Sequence, residues 1–239
     1  MEENIRTAGI KELPNGIITL RVFGDRAIFT RPELQVERVT YEVMTPAAAK
    51  GILTSIYNPE GIVYNIHRIY VENPIQVQTV RTNEVKEVRS ADEIVKYVQG
   101  KGDLPGFEIE QARTQRMNQI LRNVSYIIEF RIDIDHHKAK PNDTVDKFIG
   151  IFVRYARTGK CHNQPCFGQR QFPAYFELCD RKKPYVCPEE LLGERHLGMM
   201  FYGWKWRTKD CPTGEQFFMA TLKDGILDVP AAGSDLLYS

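Results

Sequence analysis

The chain has 239 residues, 42% of them hydrophobic and 26% charged, with 32 basic against 31 acidic side chains and a net charge of +1. That balance suits a soluble globular protein with one large or two small cores, and gives no whole-molecule electrostatic case for nucleic acid. No run of about 18 apolar residues occurs, so no membrane span is expected; the opening Met-Glu-Glu-Asn-Ile-Arg lacks a secretory apolar stretch, so a cytoplasmic location is expected.

Residues 17–23 read as a hydrophobic strand that Gly24-Asp25 should break. A Pro-bearing loop with Arg26, Arg31 and Arg38 follows, then a helix with Thr45 as its cap and Pro46 as its first residue, where a missing N–H costs nothing. Ala49, Ile52, Leu53 and Ile56 give that helix its apolar spacing, and Tyr57 stands at its exit. Residues 62–71 are rich in β-formers, and 75–80 alternate with period two. Residues 81–85 read as a polar turn, 90–106 as an insertion or mobile loop with a short helix over 91–99, and the basic stretch 111–122 as partly helical.

Residues 124–135 are the clearest strand. Tyr126, Ile128, Phe130, Ile132 and Ile134 share one face, and Ile127, Glu129, Arg131, Asp133 and Asp135 the other. After a loop carrying His136, His137 and Lys138, Asp143 or Thr144 should cap a helix whose apolar stripe is Val145, Phe148, Ile149, Phe152 and Ala156, ended by Gly159. The remainder offers short β segments at 176–178, 196–206 and 216–229, the last with an Asp224-Gly225 hairpin turn. This order fits an α+β core with a split β-α-β layout and a smaller antiparallel sheet after it.

Local chemistry is more telling than net charge. Between residues 153 and 175 the chain has Arg154, Arg157, Lys160 and Arg170 and no acidic residue, which raises the local positive potential. Five cysteines, Cys161, Cys166, Cys179, Cys187 and Cys211, are odd in number and lack a C-x-x-C, so neither a disulfide framework nor a common zinc pattern fits. Asp133, Asp135 and His137 could share a strand face as a metal site, although such a run is more often the wet side of a sheet. Arginines in loops suit RNA, because guanidinium pairs bidentately with phosphate and stacks on bases. Arg26, Arg31, Arg38, Arg81, Arg116, Arg122 and Arg170 are the candidates, the last in a Gly168-Gln169-Arg170 loop where backbone can approach phosphate.

Several segments in order resemble one family. They are VFGDRAIFTRPE, GILTSIY, RIYVENPI with RTNEV, QILRNVSYIIE, DKFIGIFVRYARTGKC, CFGQRQFPAYFEL, HLGMMFYGW and FFMATLKDGILDVP. Together they span about residues 17–230 and are similar to the RAMP-type fifth Cas family in its subtype I-C form, from the CRISPR Cascade complex. The resemblance implies an N-terminal ferredoxin-like (RRM-like) domain over 1–159, with an insertion at about 87–110, and a smaller C-terminal antiparallel β-sheet domain over 160–239. It further implies an endoribonuclease, without metal or other cofactor, that cuts precursor CRISPR RNA at the repeat hairpin, leaves a 2′,3′-cyclic phosphate and stays on the 5′ handle. Its partners would be that RNA and the backbone and large subunits of type I-C Cascade.

The family places a tyrosine at the end of the first helix and a Lys-His pair at the start of the later one. Tyr57 and Lys147 match, but Phe148 stands where the histidine belongs and cannot transfer a proton. His137, on the preceding loop, is the first candidate substitute and His162 the second. The alternative is a non-catalytic subunit that caps the 5′ handle.

Overall fold

The computed structural model describes residues 16–34, 36–86, 90–103, 106, 109–179, 184–208 and 211–238. Eight strands form one sheet: β1 (Ile17–Ala27), β2 (Ile62–Val71), β3 (Gln76–Val85), β4 (Arg113–Ile134), β5 (Tyr175–Leu178), β6 (Glu194–Thr208), β7 (Cys211–Lys223) and β8 (Ile226–Asp228). Their order is β5-β1-β4-β2-β8-β7-β6, with β3 pairing β4 off that path, and every pairing between named strands is antiparallel. The α-helices among the described residues are α1 (Pro46–Ile56), α2 (Ala91–Val98), the single turn α3 (Ile109–Ala112) and α4 (Val145–Thr158). The α+β class expected from the sequence holds.

The core lies where α1 and α4 cover one face of the central strands. Ile18, Leu20 and Val22 of β1 and Ile128, Phe130 and Ile132 of β4 meet Ile52, Leu53 and Ile56 of α1 and Phe148, Ile149 and Phe152 of α4. Burial of such side chains is worth about 1.5–3 kcal/mol each. The stripe on α4 departs from expectation at its first position: Val145 is exposed, and Val153 takes a place in the core. At 14 residues α4 starts its apolar stripe one turn late, because its first turn faces solvent.

Both main helices begin as their sequences dictate. Thr45 Oγ1 accepts the Ala48 N–H at 3.2 Å with Pro46 in the first turn, and Thr144 Oγ1 accepts the Lys147 N–H at 3.2 Å. Thr45 is buried, so its loss removes an acceptor that water cannot replace. Thr45→Ala should therefore cost about 1 kcal/mol, read as a lower urea midpoint at unchanged slope.

Three local expectations are corrected. Gly24-Asp25 does not end β1, which runs on to Ala27. Residues 81–85 are not a turn but the second half of β3, and the basic stretch 111–122 is strand from Arg113 onward, not helix. The reason is pairing: Gln76–Val85 lies in register with residues 113–122, a register that the alternation of 75–80 alone does not give. Asn118, only 2% exposed, locks this hairpin by donating to Thr82 Oγ1 at 2.7 Å and accepting the Arg38 N–H at 3.0 Å.

At the far end of the sheet, β6 and β7 are long strands of 15 and 13 residues rather than short segments. The Asp224-Gly225 turn between β7 and β8 is as expected, with φ of 47° and 73°. Of the insertion expected at about 87–110, α2 is a helix opened by a Ser90/Glu93 capping box. Residues 87–89, 104–105 and 107–108 of it lie outside the described residues, as do the N-terminal residues 1–15.

Candidate functional site

Tyr57 is the C-cap of α1 and leaves the helix in an extended conformation, φ −147° and ψ 118°. Its N–H donates to Leu53 O at 3.0 Å and its carbonyl accepts the Tyr64 hydroxyl at 2.5 Å, so its backbone is fixed from both sides. The half-buried ring rests on α4, with centroids 6.4 Å from Phe148 and 5.4 Å from Tyr155, the latter edge to face. Lys147, next to Phe148, is exposed, and its Nζ donates to Asp143 Oδ1 at 2.8 Å.

Electrostatics assign these groups different protonation behaviour. Burial, with the negative fields of Tyr155 and Asp143, pushes the Tyr57 phenol above its ordinary range, so it stays protonated in neutral solution and can donate. The Lys147 ammonium, with the Lys140 N–H, holds the Asp143 carboxyl below the usual carboxylate range. A lowered carboxyl keeps its charge at neutral pH and gives up the ion pair only on strong acidification. Asp143 pairs directly with Lys147, whereas at Tyr57 its charge is only a lesser cause of the raised phenol.

Further cations surround the tyrosines. Lys160 Nζ lies 5.0 Å from the centre of the Tyr155 ring and the Arg154 guanidinium 6.0 Å from it, both in cation–π range. His162 reaches the site through its backbone: its N–H lies 3.0 Å from Ser55 O and 3.1 Å from Ile56 O, closing the end of α1 beside Tyr57. Its side chain is exposed. His137 is also exposed, on the turn after β4, with its N–H on Asp135 Oδ1 at 3.1 Å. The same turn is tied to the segment after Tyr57 by the Asp135 N–H to Gly61 O bond of 3.0 Å. Nothing in the sequence singles out Tyr155 or Lys160; only the one-sign charge of residues 153–175 hinted at this rim.

Phe148 is 2% exposed and belongs to the core beneath Tyr57. Among the described residues no three His, Cys, Asp or Glu side chains lie close enough to hold a metal ion, so Asp133, Asp135 and His137 do not form the cluster their spacing allowed.

The seven arginines divide into two groups. Arg38 and Arg116 both pair with Glu84, the latter at 3.3 Å, and so brace the β3–β4 hairpin. Arg31 stacks over the Tyr41 ring at 4.6 Å with Glu33 3.9 Å away. Arg26, Arg81, Arg122 and Arg170 are exposed and, among the described residues, have no carboxylate at salt-bridge distance. Arg26 and Arg122 are direct partners across β1 and β4 and line one groove of about 600 Å³. That groove sits at the opposite end of β1 from the Tyr57 site, since β2 leaves Tyr57 to pair with the Ile134 end of β4.

Comparison with known proteins agrees with this architecture. A solved structure of a CRISPR-associated protein superposes with a TM-score of 0.67 at 22% identity, covering 93% of this chain and 96% of that one, which is a likeness of fold. The CRISPR pre-crRNA endoribonuclease Cas5d of Mannheimia succiniciproducens is 39% identical over 216 residues, 89% of this chain and 94% of the relative. The protein of the same name from Thermus thermophilus is 31% identical over 232 residues, 92% of this chain and 94% of the relative. A family model for Cas5d, described as CRISPR-associated protein (Cas_Cas5), matches residues 17–230. With near-complete coverage and all eight sequence segments inside the match, the chain belongs to the Cas5d family of CRISPR-associated proteins.

Proposed function

We propose that this chain is a pre-crRNA endoribonuclease that cuts at the repeat hairpin and keeps the 5′ handle as a subunit of type I-C Cascade. Relatives at 39% and 31% identity over almost their full length bear the endoribonuclease name. The observation that carries the reading is the position of Tyr57 against α4, where its ring packs on Phe148, the neighbour of Lys147, and its phenol stays protonated. The sheet supports a ferredoxin-like N-terminal unit over 1–159, because β1-α1-β2 and β4-α4-β5 give the strand order β5-β1-β4-β2. In that division β5, from the C-terminal unit over 160–239, completes the edge of the N-terminal sheet.

The chemistry such a site performs is an internal transesterification. The 2′-oxygen attacks the adjacent phosphorus and the bond to the 5′-oxygen breaks. The 2′-hydroxyl loses its proton and the departing 5′-oxygen gains one, leaving a 2′,3′-cyclic phosphate. Tyr57, protonated at neutral pH, is suited to donate to a phosphorane oxygen. The Lys147, Lys160 and Arg154 cations offset the added negative charge. Proton transfer falls to an imidazole, the side chain best suited to it in neutral solution. His162 is held at the α1 end beside Tyr57, and His137 lies on the neighbouring turn. Arg26, Arg81, Arg122 and Arg170 are the proposed RNA-binding arginines, with Arg31, Arg38 and Arg116 holding the surfaces that present them.

A second reading is a subunit that binds the 5′ handle without cutting, and the burial of Phe148 at the family's histidine position favours it. One experiment separates the two. The purified chain is incubated with its own repeat RNA in excess chelator. A single cut with a cyclic phosphate end is expected; tight binding of RNA that stays intact would leave only the capping role.

A further inference from the structure

The groove at the far end of β1 has features the cleavage reaction does not use. Arg26 and Arg122 are direct neighbours across the β1–β4 ladder, and like charges in that position destabilise a sheet. Neither has a carboxylate at salt-bridge distance among the described residues. Beside them the ladder skips the Asp25–Asn123 pair while keeping its register. Asn123 sits in the left-handed region at φ 48° inside a 22-residue strand, and its backbone carbonyl accepts the Asn73 side-chain amide at 2.7 Å. A non-glycine residue held that way is typical of places where a strand re-aims side chains toward a ligand.

The groove of about 600 Å³ is lined by this arginine pair together with Gln78, Asn123, Gln171 and Tyr175, and Asp25 is the one carboxylate among its lining residues. Paired guanidiniums suit a phosphodiester, three carboxamides offer both donors and acceptors to the edge of a base, and an exposed tyrosine ring gives a base a face to stack on. Tyr175 is 55% exposed, with its ring backed by Phe23 at 5.9 Å. In a duplex the base faces are covered by their neighbours, whereas in single-stranded RNA they are available. The distance from the Tyr57 end is large: Ile17 and Arg26 are nine positions apart on β1, about 30 Å.

We infer that this groove is a second RNA site, separate from the cleavage centre, that holds a single-stranded nucleotide with its phosphate between Arg26 and Arg122. The inference rests on the nuclease reading for its choice of RNA, and its test does not require cleavage. Binding of a fluorescent single-stranded RNA of about eight nucleotides, a typical site size, is followed by anisotropy across a salt series. Arg26→Gln/Arg122→Gln should weaken binding by about tenfold or more and flatten the slope of log K against log salt by about 1.4, the share of two phosphates on a single strand. Its melting temperature should equal or exceed the wild-type value, since a repulsion is removed, and Arg26→Lys/Arg122→Lys should restore most of the slope. Tyr175→Leu should weaken binding with the slope unchanged.

Equal affinity and slope in the double glutamine variant would overturn the site. Equally tight binding of an RNA duplex of the same length, with the same loss in the variant, would overturn its single-strand character. Cleavage of the repeat hairpin by the wild-type chain is measured in parallel. Absent cleavage with oligonucleotide binding that the double glutamine variant loses defeats the nuclease reading and upholds the groove; cleavage without any mutational effect on the oligonucleotide does the reverse.

Discussion

Tyr57→Phe should slow repeat cleavage by about a hundred- to a thousandfold at saturating enzyme, the usual effect of losing one donor to a developing oxyanion. Binding of the uncut RNA should stay within about twofold, because the ring remains to pack on Phe148 and Tyr155 while only its hydroxyl is lost. Lys147→Ala should give a comparable loss, since it removes the cation and leaves the Asp143 carboxylate without the ammonium that now balances it. Single-turnover cleavage with both variants, beside a filter-binding titration, reads the two quantities separately. Wild-type rates in both variants would remove the reaction from this end of the sheet.

The second large effect concerns stability and involves no reacting group. Gly168→Ala should lower the melting temperature by about 10 °C, taking a loss of about 3 kcal/mol and 2–4 °C per kcal/mol for a chain of this size. Gly168 has φ 84°, and a Cβ there would stand 1.8 Å from Ile28 O. A left-handed alanine alone costs about 1–2 kcal/mol. The displaced loop would also break the Ile28 N–H to Phe167 O bond of 3.1 Å and unseat Phe167. That ring is fully buried, edge to face with Phe29 at 6.1 Å and close to Tyr126 at 6.2 Å. Gly51, which sits in α1 with open space for 4 Å around the place a Cβ would take, is the matched control, and its alanine variant should be neutral or slightly stabilising. A wild-type melting curve for Gly168→Ala would mean that the loop is not seated on the end of β1.

How far the sequence could be read depended on the range of the forces involved. The starts of α1 and α4 were legible because Thr45-Pro46 and Thr144 act on residues three positions away. The Asp224-Gly225 turn was legible for the same reason. The β3–β4 hairpin was not. Residues 81–85 and 113–119 lack the alternation that marked 75–80, and they join the strand pair because Asn118 bonds Thr82 and Arg38 across separations of 36 and 80 residues. The same distance hid the pairing of Arg38 and Arg116 with Glu84. In the candidate site, Tyr57 and Lys147 could be picked out by motif. The return of the chain that sets Tyr155, Lys160 and His162 around the end of α1 could not, since it depends on how α4 crosses the sheet.

β4 carries a mechanical implication. Its 22 residues span about 70 Å, from the hairpin with β3 to the Ile134 end beside the Tyr57 site. One continuous strand therefore joins the outer arm, the groove and the Tyr57 end, with Asn123 the one residue along it at positive φ. Rotation about that one torsion would change both the angle between the two ends of the strand and the distance separating them.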